Sequence, residues 1–371
     1  RTPAPFLYPG EYALSIFSIR RMTAEGSIGL AMARPSVSIF PMAMIAQVAA
    51  QQLTVPESIP ELAARAGWTV EAALAAGAGR TRHRVPDGVS QVDLACDAVS
   101  RLDLEPAMLR TARWLICAQA VPWRAMPTNA ATVHARLALS PSVQSCDVNA
   151  SCLSFLAALQ LIGPSVDASG CPALVASSED PLMALDWSEP HSAALFGAGA
   201  AAAWVVPDRI PQRGETLLAI KTQLIESHTE TSEACVIRGG GTKDLFGADG
   251  YGKFSMNGKA LFQAASRHMD GFIERFVSLG GVEPACADWV VAHQASREAI
   301  ELMRRRLKIS PDRMPVRFEE FGNQVSASIP EGLASLCRSG QLRHGDRILV
   351  LGTGAGLLIG ATELAVVSAK T

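Results

Sequence analysis

Residues 143–161 read VQSCDVNASCLSFLAALQL, and this stretch decides the fold. The residues up to Val148 predict a short strand, and the apolar run that follows Cys152 predicts a helix that extends to Leu161. A sharp turn between them leaves Cys152 at the start of the helix. A strand that passes directly into a helix is the building unit of α/β proteins.

The same order of elements occurs twice along the chain. In the first copy, the predicted order is strand 114–118, helix 130–139, strand 143–148, helix 152–161 and strand 173–177. In the second copy, it is strand 289–292, helix 297–307, strand 316–318, helix 325–336 and strand 347–351. An internal repeat of this kind predicts two halves of similar structure.

Continuous apolar strands that alternate with helices indicate parallel sheets covered on both faces. We therefore predict an α/β protein of two pseudo-equivalent βαβαβ halves, residues 41–210 and residues 211–371, after an extension of residues 1–40 without assigned role. A pseudo-twofold axis would bring equivalent helix starts together, namely those that carry Cys152 and Asn323.

Composition excludes several classes of protein. Of 371 residues, 49% are hydrophobic and 18% are charged, with a formal net charge of -2, so no basic surface for nucleic acid is expected. Eight scattered cysteines show neither a CxxC pair nor zinc-ligand spacing, which predicts a reduced, cytoplasmic chain without a metal site. Apolar stretches are short and interrupted by glycine, so no transmembrane helix is predicted.

Three side chains are candidates for chemistry. Cys152 at a helix start would have its thiolate stabilised by free N–H groups, although a free cysteine is more often inert. His293 follows an apolar strand, where α/β folds place ligand-facing groups, and Asn323 could equally cap a helix. Together, a thiol, an imidazole and an amide can form and break thioesters while they stabilise an oxyanion.

The segments around these residues resemble those of β-ketoacyl-acyl-carrier-protein synthase III and its relatives. The resemblance extends from about residue 44 to the end of the chain. It rests on the Cys152 segment, on His293-Gln-Ala, on Gly322-Asn323, on Ser177-Ser-Glu179, on Phe196-Gly-Ala-Gly-Ala and on Gly352-Thr-Gly-Ala-Gly356. It implies the thiolase fold, with five layers αβαβα, and a homodimer that takes part in fatty-acid or polyketide biosynthesis.

The resemblance also implies roles for individual residues. Cys152 matches the acylated nucleophile, and His293 and Asn323 match the pair that stabilises the enolate formed when a malonyl thioester loses carbon dioxide. Gly356 matches the residue whose N–H joins that of Cys152 in an oxyanion hole, and Met126 matches a residue that enters the partner's acyl pocket.

The substrates implied are thioesters of coenzyme A or of the phosphopantetheine arm of acyl carrier protein, with no permanently bound cofactor. Arg80, Arg82 and Arg84 lie near the place where the family begins to bind coenzyme A, and they could pair with its phosphates. A solvated basic loop is the commoner explanation of such a run.

Several reactions remain open for this triad. Decarboxylative condensation to a 3-oxoacyl product is favoured, and the alternatives are condensation without decarboxylation and acyl transfer to an alcohol or amine. The order Cys, His, Asn is also that of papain-like hydrolases, but the local sequence around Cys152 does not match theirs. A silent scaffold subunit would be expected to lose the cysteine.

Overall fold

The computed structural model describes residues 43–208, 216–242, 244 and 252–369. The predicted extension at residues 1–40 and the predicted boundary between residues 210 and 211 lie outside the described residues. The strands are β1 Met44–Ala50, β2 Val55–Ser58, β3 Thr81–Arg84, β4 Trp114–Ala118, β5 Gln144–Val148, β6 Ala173–Glu179, β7 Gly199–Val206, β8 Leu217–Ser227, β9 Cys235–Ile237, β10 Phe254–Met256, β11 Trp289–Ala292, β12 Arg347–Gly354 and β13 Leu358–Ser368.

The α-helices are α1 Ile59–Ala66, α2 Val70–Ala75, α3 Gln91–Ser100, α4 Pro106–Leu109, α5 Asn129–Arg136, α6 Ser154–Ser169, α7 Pro190–Ala193, α8 Gly258–Ser278, α9 Arg297–Arg306, α10 Phe318–Phe321 and α11 Ser328–Arg338. Short 3-10 helices occur as well, among them Thr229–Ala234 and Val325–Ala327.

Within the described residues, the long strands form one mixed sheet in the order β11-β12-β13-β8-β1-β7-β6-β4-β5. In the first half β4 pairs in parallel with β5 and β6, and in the second half β11 pairs in parallel with β12. The halves join where β1 pairs with β8 through Met44 with Ala219 and Ile45 with Leu218. Each half of the predicted repeat therefore contributes a group of parallel strands, and antiparallel strands in the centre of the sheet join the two groups.

Three layers of helices cover the strands. Successive residues of β12 point to opposite faces, so that Val350 packs with α6 and α11 in a central cluster and Leu351 packs with α8 and α9 in an outer one. On the other side, α3 and α5 pack against β4, β6 and β7. Helices in the middle and on both outer faces give the predicted five-layered αβαβα arrangement.

Most predicted elements are confirmed, but the strand predicted at residues 316–318 is wrong. Val316 is exposed there, and the helix α10 begins at Phe318. The Gln294 side-chain oxygen accepts hydrogen bonds from the N–H groups of Arg317 (2.9 Å) and Phe318 (3.0 Å), which satisfies the start of this helical turn. In the described chain, β11 is thus the edge strand of the second half.

Helix α6 carries a further departure from expectation. The segment Ser151–Ser169 is long and apolar enough to cross a membrane by length and composition. Half of this segment is buried within the protein, where Phe155 and Leu159 pack in the central layer against Leu333 of α11. Its apolar character thus serves the core between the two halves.

Candidate active site

Cys152 lies in a tight turn between β5 and α6. Ser151 has a φ of 52°, in the left-handed region that non-glycine residues rarely adopt. The Ser154 hydroxyl accepts a hydrogen bond from the Ala150 N–H (2.9 Å) and donates one to the Ser151 carbonyl (2.6 Å), which holds the turn. The helix was predicted to start at Cys152, but α6 begins at Ser154, so Cys152 lies two residues before the observed helix start.

Two backbone N–H groups interact with the Cys152 thiol, its own and that of Ala355. Ala355 lies in the loop between β12 and β13, beside Gly356. Among the described residues, Ala355 lines the cavity at the thiol and Gly356 does not. The N–H group beside the Cys152 sulfur is thus that of Ala355, the neighbour of Gly356, which was predicted for the oxyanion hole.

Burial raises the pKa of the Cys152 thiol well above its ordinary value. Cys235 and Glu179 raise this pKa further, and the N–H groups of Cys152 and Ala355 lower it by less. The prediction of a thiolate stabilised by the helix start is therefore wrong. Burial of the sulfur outweighs the two N–H groups, so the Cys152 side chain is a neutral thiol near pH 7.

His293 directly follows β11 and is buried. Its N–H donates to the Leu351 carbonyl (2.9 Å), and its Nδ1 lies 2.7 Å from the Ser328 hydroxyl oxygen. Burial lowers the pKa of His293 to about 4, so the imidazole is neutral near pH 7. The ring is held in place and uncharged beside the cavity.

Asn323 follows α10 and is buried. Its N–H donates to the Leu195 carbonyl (2.7 Å), and its carbonyl accepts from the Gly197 N–H (3.0 Å), which anchors the backbone across the two halves. The side-chain Oδ1 accepts a hydrogen bond from the Val325 N–H (2.9 Å). Asn323 thus satisfies the first N–H of the 3-10 helix from the position before the N-cap residue Gln324, a capping role close to the one that the sequence allowed. This bond also fixes the amide so that Nδ2 is the donor that remains.

Cys152, His293 and Asn323 line one cavity of about 1350 Å³. This volume is larger than the roughly 300–1,000 Å³ of ordinary small-molecule sites. Much of the wall is apolar and comes from α8, α9 and the strands β9 and β10, including Ile237, Phe254, Met256, Leu261, Phe262, Met269, Ile300 and Met303. The arrangement places a thiol, a neutral imidazole and an amide donor at the wall of a large apolar chamber.

The predicted coenzyme A residues lie elsewhere. Within the described chain, Arg80, Arg82 and Arg84 are not part of the cavity wall. Arg82 is 2% exposed, and its Nε donates to Glu57 (2.9 Å). Its Nη1 donates to the carbonyls of Ala193 (3.1 Å) and Phe196 (3.3 Å). Arg82 thus ties β3 to the segment that follows α7, and it cannot also pair with a ligand phosphate.

Met126 is 83% exposed and is not among the described residues that line the cavity of its own chain. The structure therefore does not bring Met126 to Cys152 within one protomer. Arg124, two residues earlier, does line the cavity, as does Arg306 on α9. Sequence reasoning missed both arginines, because each lies among residues that give no motif.

Glu179 at the end of β6 also lines the cavity and is buried. It accepts hydrogen bonds from the Ala120 N–H (2.6 Å) and from the Ser326 hydroxyl (2.6 Å). Burial raises the pKa of Glu179 to about 7. The sequence motif around residue 179 was noted, but its electrostatic influence on Cys152 could be found only from the structure.

Comparison with known proteins agrees with this geometry. Residues 146–224 match the sequence model described as 3-Oxoacyl-[acyl-carrier-protein (ACP)] synthase III, and residues 279–366 match the model of its C-terminal part. The β-ketoacyl-[acyl-carrier-protein] synthase III of Rhodospirillum centenum is 30% identical over 285 residues, which is 76% of this chain and 86% of that protein.

Two solved structures are similar over most of their length. The crystal structure of 3-oxoacyl-(acyl carrier protein) synthase III, FabH, from Pseudomonas aeruginosa has a TM-score of 0.75 at 25% identity and covers 88% of this chain and 99% of that chain. An OleA variant from Xanthomonas campestris has a TM-score of 0.75 at 21% identity, with coverage of 88% and 99%. The second likeness shows the fold alone.

Proposed function

The chain belongs to the β-ketoacyl-acyl-carrier-protein synthase III family, and from this membership we propose a decarboxylative Claisen condensation carried out by Cys152, His293 and Asn323. Membership makes the chain a thiolase-type condensing enzyme that transfers acyl groups. In the proposed reaction, Cys152 accepts an acyl group from coenzyme A or acyl carrier protein. A malonyl thioester then loses carbon dioxide and takes over the acyl group to give a 3-oxoacyl thioester.

The first half-reaction uses the two N–H groups at the thiol. The Cys152 sulfur attacks the thioester carbonyl, whose oxygen receives the developing negative charge beside the N–H groups of Cys152 and Ala355. The Ser328 oxygen accepts Nδ1–H of His293, because its own hydrogen goes to the Val325 carbonyl (2.9 Å). The Nε2 lone pair of the neutral ring therefore takes the thiol proton and passes it to the departing coenzyme A or pantetheine sulfur. Cys152 is left as an acyl thioester and the imidazole as neutral as before.

The second half-reaction uses His293 and Asn323 as hydrogen-bond donors. For this step the Ser328 hydroxyl turns from the Val325 carbonyl, to which it donates at 2.9 Å, and donates to Nδ1 of His293 instead, so that the proton of the neutral ring moves to Nε2 and can be donated. Nε2–H and the Asn323 Nδ2–H then hold the malonyl thioester oxygen as the bond to the carboxylate breaks. The enolate carbon attacks the acyl carbonyl, and the Cys152 sulfur leaves.

The cavity supports an apolar acyl donor. Its wall near α8 consists of Leu261, Phe262, Ala265 and Met269, and burial of an alkyl chain there is favourable by about 0.8 kcal/mol per methylene group. We propose a medium or long acyl chain in this part of the cavity. Arg124 is better placed than the residue 80–84 arginines to meet the phosphates of coenzyme A, because it lines the cavity and its Nη2 donates to the neutral Thr132 hydroxyl. Arg306 lines the cavity too, but two hydrogen bonds of 2.7 Å and 2.8 Å hold it on Asp270.

We also propose that the protein is a homodimer. The 83% exposure of Met126 in one chain supports its insertion into the acyl pocket of a second copy. Trp123, also exposed, lies on the same loop and lines the cavity of its own chain, so a partner bound at this loop would lie close to the acyl site. Exchange of Met126 for Trp should then shorten the acyl chains accepted.

Intact-protein mass spectrometry tests the proposed chemistry. The chain is incubated with acyl-coenzyme A donors of increasing length and then with malonyl-coenzyme A or malonyl acyl carrier protein. We expect one acyl adduct that is absent from the Cys152→Ala variant and that malonyl thioester discharges with release of carbon dioxide. The Cys337→Ala variant is the matched control, since Cys337 also has a thiol pKa raised by burial, to about 12, but does not line the cavity.

Two outcomes would contradict the proposal. Acylation that persists in Cys152→Ala would show that another residue is the nucleophile. An adduct on Cys152 that resists malonyl donors, but is discharged by a second acyl thioester or by an alcohol or amine, would assign the protein to the non-decarboxylating or the acyl-transfer reaction. The papain-like alternative does not fit the observed fold of two joined parallel cores.

A further inference from the structure

Three side chains with metal-binding atoms meet behind the cavity. His228 follows β8, Glu230 lies in the 3-10 helix Thr229–Ala234 and His268 lies in the middle of α8. One nitrogen or oxygen atom of each lies within 4.8 Å of those of the other two. The two imidazole rings are stacked, with centroids 3.9 Å apart and planes inclined by 18°, and the Glu230 carboxylate is hydrogen-bonded to Nε2 of His268.

This donor set matches the preference of zinc and related ions. Two imidazole nitrogens and a carboxylate oxygen bind Zn²⁺ at about 2.0–2.2 Å, so the three ligand atoms would lie roughly 3.4 Å from one another. The atoms already lie within 4.8 Å of one another, but stacked rings present their lone pairs nearly parallel, so one imidazole must turn about its side-chain torsions before both nitrogens face one ion. The side chains of His268 and Glu230 are 27% and 39% exposed, so they can rotate and an ion can reach them.

A second carboxylate orients His228. Glu226 lies 3.2 Å from Nε2 of His228, and Arg275 fixes this carboxylate with two hydrogen bonds of 2.6 Å and 2.7 Å. When Nε2–H donates to Glu226, the lone pair of the ring lies on Nδ1 and is available to a metal ion. A histidine that donates its other N–H to a carboxylate is the usual arrangement around bound metals.

The backbone of His228 is fixed as well. Its N–H donates to the Leu357 carbonyl (2.7 Å), and its carbonyl accepts from the Leu357 N–H (2.9 Å). Leu357 follows the loop that carries Ala355, and Met269, which follows His268, lines the cavity. An ion held by His228 and His268 would therefore join the oxyanion loop to the helix that forms the acyl wall.

From these contacts we propose that His228, Glu230 and His268 bind one divalent transition-metal ion of the zinc class, with Glu226 as the outer carboxylate. Arg267 opposes an ion, because its Nη1 lies 3.8 Å from Glu230, whereas the charge of Arg275 is taken up by its two hydrogen bonds to Glu226. Since Arg267 is 65% exposed, it can be removed without disturbing the core. Removal of a ligand should therefore weaken metal binding, whereas removal of Arg267 should strengthen it.

Cobalt titration of the full chain tests the site. Untagged protein treated with EDTA is titrated with Co²⁺, whose visible absorption reports coordination, and Zn²⁺ is added in competition. We expect one ion per chain with no thiolate charge-transfer band. His268→Ala should weaken binding by at least about 100-fold, and Glu226→Gln by about 10–100-fold, the usual effect of an outer-shell change. Arg267→Ala should tighten it several-fold.

Two controls keep the result decisive. His344→Ala removes an imidazole outside the cluster and should leave the affinity unchanged. Glu230→Gln keeps the size of the side chain, so it reports the loss of a ligand even where His268→Ala impairs folding. Absence of a Co²⁺ spectrum, or equal affinity in the parent chain, Glu230→Gln and His268→Ala, would overturn the proposal.

Discussion

Asn323→Asp separates the two half-reactions of the proposed mechanism. The Asn323 Oδ1 accepts the Val325 N–H at 2.9 Å, and an aspartate oxygen can accept the same bond. The bond that caps the 3-10 helix is therefore kept, so the variant should fold, and burial of the new carboxylate should lower the free energy of unfolding. What the exchange removes is the Nδ2–H donor, and it adds an acceptor in its place.

The expected loss follows from the role of that donor. Removal of one oxyanion donor costs roughly 10²–10³ in kcat, which is about 2.7–4 kcal/mol of transition-state stabilisation. We expect this loss in the malonyl step, where Nδ2 and His293 hold the forming enolate. Acylation of Cys152 relies on the N–H groups of Cys152 and Ala355 instead, so it should slow by less than about tenfold.

Single-turnover experiments measure the two steps apart. Rapid quench and intact mass give the rate at which the acyl adduct on Cys152 forms, and release of labelled carbon dioxide from malonyl thioester gives the rate of the second step. Asn323→Ala is the companion variant, because it removes both the cap and the donor. Equal losses in both half-reactions of Asn323→Asp would refute the assigned role.

Three other changes test the structure directly. Arg82→Ala should lower the free energy of unfolding by about 3 kcal/mol in urea denaturation, since it breaks a buried ion pair, whereas exposed Arg80→Ala should change it by less than about 0.5 kcal/mol. A raised Michaelis constant for acyl-coenzyme A in Arg82→Ala at unchanged stability would contradict this. The rate of alkylation of Cys152 by iodoacetamide should rise about tenfold per pH unit from pH 7 to 9, because its thiol pKa is raised above that range. A rate that is constant near neutral pH would show an activated thiolate instead. Glu179→Gln should speed this alkylation at pH 8, because the ionised carboxylate of the parent chain raises the thiol pKa. At pH 6, below the Glu179 pKa of about 7, the variant should react at the same rate as the parent. Slower alkylation of the variant at pH 8 would indicate instead that Glu179 is a base for the thiol.

Where a parallel strand is a continuous apolar run, the sequence pattern predicted its first and last residues. Trp114–Ala118 and Trp289–Ala292 were both expected with these bounds, because each apolar run packs helices on two faces. The pairing of Cys152 with Asn323 was also predictable, since a repeat places equivalent positions at equivalent ends of the two halves. His293 joined them because it directly follows the strand β11.

Other features depend on contacts that no local pattern reveals. Arg82 was grouped with its basic neighbours, although its partner Glu57 lies on the paired strand β2 and buries it. Gly356 was predicted from the family motif, but an oxyanion hole needs only an N–H, and every residue except proline has one. The N–H beside the Cys152 thiol is that of Ala355, which is why the proposed mechanism uses this residue.

The burial of Cys152 and His293 has one common consequence. Burial raises the thiol pKa and lowers the imidazole pKa, so both residues are neutral in the resting site rather than an ion pair. A neutral thiol is protected from alkylating agents until a thioester arrives between it and the N–H groups. In the proposed mechanism, the neutral imidazole takes the thiol proton on Nε2 in the first step and, after a change of tautomer, donates Nε2–H in the second. Because much of the cavity wall is apolar, the two neutral donors of His293 and Asn323 should stabilise an enolate there more strongly than in solution.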